Sequence, residues 1–290
     1  MPDPFFDGFA LERIPLPGAT LRVRRGGSGP PLLLLHGHPR THATWHEVAP
    51  RLAQRFTVVC PDLRGYGQSS KPADSPDHAG MSKRALAQDL ADLMTHLGHE
   101  RFAVVGHDRG SYVTFRLAMD HPERVERLAF LGQVPILEAL ERANERFARL
   151  WWHWFFFGQA EKPERAILAD PDAWYGNTPE QRAQMGEAAW ADYLAAVHDP
   201  ATVHCMVEDY RAGLGIDRAH DAADRAAGRQ VRCPTLVLWA LRDDPEPLYD
   251  DLAAIWRPWA PDLRVRSLDC GHHMAEEAPE ALTAALLDFL

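Results

Sequence analysis

Residues 102–111 read FAVVGHDRGS, and the fold is decided there. Phe102 to Val105 is a short apolar run of strand type, Gly106 ends it, and Ser111 to Asp120 continues as a helix-like stretch. A strand that becomes a helix within a few residues needs a sharp turn, and the flanking glycines Gly106 and Gly110 permit one. Such a turn lifts its central side chain, Asp108, to the top of a sheet, with the next amide aimed at the same point. A lone Gly-x-Asp-x-Gly is more often a strand-ending loop than a catalytic site, so its surroundings decide.

Working outward, Leu32 to Leu35 runs into His36-Gly37-His38-Pro39, and Phe56 to Cys60 runs into Pro61-Asp62. Both read as buried parallel strands. Residues 82–97 place Ala85, Leu86, Leu90, Leu93, Met94 and Leu97 on one stripe at helical spacing, with Gly98 as a stop. Val125 to Leu131 and Thr235 to Trp239 read as further strands. Strands alternating with amphipathic helices predict the α/β class, a mostly parallel sheet with helices on both faces. Between those last two strands the alternation fails. Residues 136–229 are therefore expected to be a helical cap inserted between two parts of a sheet core, 1–135 and 230–290. A final helix starts near Ala278-Pro279-Glu280.

Composition excludes several functions. With 31 basic and 41 acidic side chains the net charge is -10, which repels phosphate backbones and argues against nucleic acid as a partner. The four cysteines, Cys60, Cys205, Cys233 and Cys270, form no Cys-x-x-Cys pair, so reduced core residues are expected, and no zinc or disulfide framework. The 15 histidines are scattered without a metal-ligand spacing, and no cofactor is expected. No basic leader precedes a long apolar stretch, and no run approaches the ~18 apolar residues of a membrane span. The expectation is a cytoplasmic enzyme with no membrane contact, acting on a small molecule and water, with a homodimer left open.

Two further pieces give the elbow its context. The segment His36-Gly37-His38-Pro39 ends a strand where a backbone amide supplies a second oxyanion donor, which places His38 at the site. Asp269-Cys270-Gly271-His272 follows a strand and precedes the last helix, which makes His272 the general base. Asp243, four residues beyond Trp239, is the expected acid that orients His272, with its neighbour Asp244 as the competing choice. A carboxylate nucleophile is poorly suited to acyl substrates, because attack would form an anhydride. It is well suited to displacing a leaving group from an sp3 carbon, giving an alkyl ester that histidine-activated water hydrolyses. Carbon–halogen bonds and epoxides fit that chemistry.

The elbow, Trp151-Trp152-His153-Trp154 and Asp209-Tyr210-Arg211-Ala212-Gly213 together resemble the fluoroacetate (haloacetate) dehalogenase family of α/β hydrolases over nearly the whole chain. Val58 to Gly67 and Asp120-His121-Pro122 add to the likeness but are widespread among α/β hydrolases. Six aromatics between Trp151 and Phe157 would ordinarily mark a helix buried against a core. The resemblance implies instead that His153, Trp154 and Tyr210 surround a departing halide, and all three carry donors that need partners once buried. It also implies two arginines on the elbow helix clamping a substrate carboxylate: Arg109 matches the first, and Tyr112 stands in place of the second. The family usually places its acid after the sixth strand. Gly132 and Gln133 stand there, so Asp243 implies a relocated acid.

The expected function is a hydrolytic dehalogenase of small 2-halo acids. An epoxide hydrolase with the same nucleophile and base, and Tyr210 or Tyr112 as proton donor, is the second reading. A non-catalytic ligand-binding protein on a hydrolase scaffold is the third. Of the remaining polar residues, His42 is expected to hydrogen-bond locally, His273 to pack, and Arg40 to be a solvated loop charge.

Overall fold

The structure, a computed structural model, describes residues 5–290. Its eight strands are β1 (Ala10–Pro15), β2 (Thr20–Gly26), β3 (Pro31–Leu35), β4 (Thr57–Pro61), β5 (Phe102–His107), β6 (Val125–Leu131), β7 (Thr235–Ala240) and β8 (Leu263–Leu268). They form one sheet in the order β1-β2-β4-β3-β5-β6-β7-β8. β1 and β2 join antiparallel, and every pairing from β4 to β8 is parallel. The interior strands are apolar throughout because helices cover both faces: Leu32 to Leu35 and Val104 to Val105 are fully buried. β8 lies at the sheet edge and alternates partly buried and exposed residues.

The crossover helix spans Lys83–His96. Ser82 caps it by accepting from the Ala85 amide, and Gly98, at φ +81°, ends it. Its buried stripe is Leu86, Leu90, Leu93 and Met94. The chain leaves β3 for β4 on one side, then crosses to β5 on the other. The ends of β3 and β5 therefore face a crevice where the strand order reverses, the usual ligand position in open parallel sheets.

From Ile136–Glu141 to Arg218–Ala226, the chain between β6 and β7 is helical, with no strand. Two of these helices face the crevice, Trp152–Phe157 and Pro200–Ala212. All four cysteines are buried and unpaired. Among the described residues no helix is long and apolar enough to cross a membrane.

Arg40 departs from the solvated charge expected of it. It is 3% exposed, its Nε lies 2.9 Å from Glu276 Oε1 and its Nη2 3.0 Å from Oε2, and its guanidinium lies over the Tyr193 ring. The loop after β3 folds inward under the helical insert, so a charge there needs a buried partner. His42 is likewise buried, with its ring Nδ1 2.7 Å from Asp62 Oδ1. The β1–β2 hairpin had no reading in the sequence.

Candidate active site

Asp108 stands at the turn between β5 and the helix Arg109–Asp120 with φ +50° and ψ -120°. A non-glycine residue in that region is strained, and strain of this kind persists where the surroundings over-determine it. Here they do. A Cβ at Gly110 would collide with the His36 carbonyl, and one at Gly37 would fall between the Asp108 carboxylate and the Arg109 amide. Ser111 staples the turn: its hydroxyl donates to the carbonyls of Gly106 at 2.6 Å and Leu131 at 2.9 Å.

The two carboxylate oxygens of Asp108 differ. Oδ1 accepts from the His38 amide at 2.7 Å, whereas Oδ2 lies 4.0 Å from His272 Nε2. In an alkyl ester built on Oδ2, Oδ1 becomes the carbonyl oxygen. The His38 amide, with that of Arg109 beside it, would then polarise the carbonyl toward water attack.

His272 Nδ1 lies 2.9 Å from Asp243 Oδ2, and Asp243 Oδ1 accepts from the Asp244 amide at 2.8 Å. Burial works against charge on His272, but the hydrogen bond to Asp243 and the negative charges of Asp243 and Asp108 outweigh it, and its pKa is pushed up to about 9. Burial also raises Asp243, yet His272 holds it below the usual carboxylate range. His107 supports His272 from behind, its Nε2 2.8 Å from the His272 carbonyl; burial pushes the His107 pKa down to about 4. His273 packs edge-on against the His272 ring.

Between the competing aspartates the geometry is clear. Asp244 accepts from the Trp151 indole at 2.9 Å, and it is Asp243 that meets His272. Burial and the adjacent Asp243 charge raise the Asp244 pKa.

Above Asp108 lies a cavity of about 240 Å³, walled by Asp108, His38, His272, His153, Trp154 and Tyr210, with Gln133, Trp151 and the two aspartates completing it. Burial lowers the pKa of His38 to about 3 and of His153 to about 4, so both rings are neutral near pH 7. Burial raises Tyr210 well above its ordinary value, as does the Asp108 charge, so its hydroxyl stays protonated. The Tyr210 ring packs edge-on against His38, His153 and Trp154.

The clamp expected of Arg109 and Tyr112 is not part of this wall. Arg109 turns toward the insert, where its Nε pairs with Asp209, its Nη2 donates to the Asp209 carbonyl at 2.9 Å, and its Cζ lies 4.1 Å from the Tyr210 ring centroid. Among the described residues its Nη1 is buried without a hydrogen-bond partner. Tyr112 lies beneath Trp154 and donates to Gln133 Oε1 at 3.1 Å. Tyr112 is buried behind the wall and touches its lining at Gln133 and Trp154. Gln133 carries no site signal in the sequence because it is no acid, and Asp209 none beyond its place beside Tyr210.

The family described as alpha/beta hydrolase fold matches residues 30–279. A fluoroacetate dehalogenase from Burkholderia sp is 41% identical, over 98% of this chain and 95% of that protein. A soluble epoxide hydrolase from Corynebacterium sp. (strain C12) is 30% identical over 94% of each. Among solved structures, an alpha/beta hydrolase from Nostoc sp PCC 7120 superposes with a TM-score of 0.91 at 42% identity, over 97% of each chain.

Proposed function

The chain belongs to the alpha/beta hydrolase fold family and, within it, to the fluoroacetate dehalogenase family, and from that premise we propose that it removes halide from small 2-halo acids through an ester on Asp108. The observation that carries this reading is the asymmetry of the nucleophile. Oδ1 is held by an amide and Oδ2 is left to attack, next to a histidine that an aspartate orients. Oδ2 displaces halide from the sp3 carbon, and the donors of His153, Trp154 and Tyr210 take up the leaving anion. Water then adds to the Asp108 carboxyl carbon as His272 takes its proton, and Asp243 stabilises the imidazolium.

The test is halide release from chloroacetate and fluoroacetate, with mass analysis of a His272→Gln variant. Ester formation predicts a mass increase on the peptide that contains Asp108. An unmodified peptide alongside a stoichiometric halide burst would move the nucleophile elsewhere.

One observation favours epoxide opening as a second reading: the protonated Tyr210 hydroxyl belongs to a residue that lines the same cavity, and among the described residues it has no hydrogen-bond partner. Diol formation from a small epoxide without halide release from any halo acid would select it.

A further inference from the structure

The cavity wall carries more negative than positive charge. Asp108, Asp243 and Asp244 line it, and His272 is the cation among the lining residues. Arg109, just outside the wall, is already matched. Its partner Asp209 also lies 2.9 Å from Lys83 Nζ, and that ammonium is 3.5 Å from Asp217, so two cations face two carboxylates. A carboxylate entering this small, partly enclosed space meets net repulsion.

The same wall offers neutral complements. Gln133, 4% exposed, spends its side-chain oxygen on the Tyr112 hydroxyl, and its main-chain carbonyl accepts from the Trp256 indole at 3.1 Å. Its amide N–H groups therefore remain as donors. Asp244 uses Oδ2 for Trp151, which leaves Oδ1 as an acceptor. A primary amide presents the converse set, one carbonyl acceptor and two N–H donors, at no net charge.

We infer a further activity, hydrolytic dehalogenation of uncharged 2-halo amides, with higher efficiency than the corresponding acids. It rests on displacement at Asp108 as proposed above. With 2-chloroacetamide, an Oδ2 lone pair forms the C–O bond as the C–Cl bond breaks, and chloride leaves with the bonding pair. Water adds to the Asp108 carboxyl carbon. One of its protons passes through His272 to the glycolamide hydroxyl and the other is released, so the amide chloride plus water yields glycolamide, chloride and a proton.

The experiment compares kcat/KM for 2-chloroacetamide and chloroacetate by chloride release, in wild type, Gln133→Met and Asp244→Asn. The ratio of the two rates with free acetate as nucleophile gives the intrinsic preference. The enzyme's amide-over-acid ratio should exceed the acetate ratio by about tenfold or more. Gln133→Met should raise KM for the amide several-fold, and Asp244→Asn should narrow the ratio by improving chloroacetate. A ratio at or below that of acetate, or an unchanged amide KM in Gln133→Met, overturns the inference. Turnover of chloroacetate alone defeats it while the dehalogenase reading stands. No chloride from either compound defeats both.

Discussion

In the cycle proposed above, the Asp108 carboxylate is a nucleophile in one half and an electrostatic influence in the other. While it is ionised it helps hold His272 protonated, with a pKa of about 9. Once it is esterified its charge is gone, so the same histidine becomes a better base at the moment water must be activated. Ester decay followed by single turnover should therefore show its acid limb below pH 9; a limb at or above that value would sink the argument. Asp243→Asn removes the charge that raises His272 and leaves at most a weaker, neutral hydrogen bond to it. NMR titration should then find its pKa moved down, and the ester should accumulate. Stability follows the same linkage: protonated His272 favours the fold, so its contribution is full below the unfolded value of 6.5 and is lost as pH rises through about 9. In Asp243→Asn that alkaline loss should shrink, as denaturant midpoints at pH 6 and pH 10 would record.

The helix carrying His153 and Trp154 is fixed from below, because Asp244 on the loop after β7 accepts from the Trp151 indole and Trp151 stacks on Trp154 at 5.5 Å. Asp244→Ala should loosen that helix and slow halide departure, most for fluoride, while the Asp243 hydrogen bond still holds the His272 pKa above its ordinary value. Equal losses in both variants of the aspartate pair would erase the distinction drawn between them. A second tie, Arg40 to Glu276, joins the loop after β3 to the residues that follow His272. Glu276→Ala leaves a buried guanidinium unpaired and should cost about 3–5 kcal/mol of unfolding free energy. Elements of this kind divide in legibility. The elbow and the crossover helix could be read because glycines and apolar spacing are local signals. The Arg40 pair is not legible because its partner lies 236 residues away, and only burial by the insert makes the pair necessary. The β1–β2 hairpin escaped because its alternation is short and interrupted by Pro15 and Pro17.

Across the molecule, sheet core and helical insert meet through charge as well as apolar packing: Lys83 and Arg109 come from the core, Asp209 and Asp217 from the insert. The sequence offered Asp108, His272, Asp243 and the three cap donors in an order that the fold brings around one cavity. It gave no sign that Arg109 would be engaged by Asp209, since ion pairing between distant segments leaves no periodicity. Asp209→Asn tests what that pairing does. Removing one carboxylate leaves two buried cations facing Asp217 alone, which should cost about 3–5 kcal/mol of stability. The same change frees a positive charge at the cavity's edge, 4.1 Å from the Tyr210 ring. A carboxylate substrate would gain from it and an amide would not. The amide-over-acid ratio of kcat/KM should therefore fall toward that of free acetate, chiefly through a lower KM for chloroacetate. If Asp209→Asn is folded but its ratio is unchanged, Arg109 does not act on the substrate's charge, and specificity lies wholly in the wall formed by Gln133 and Asp244.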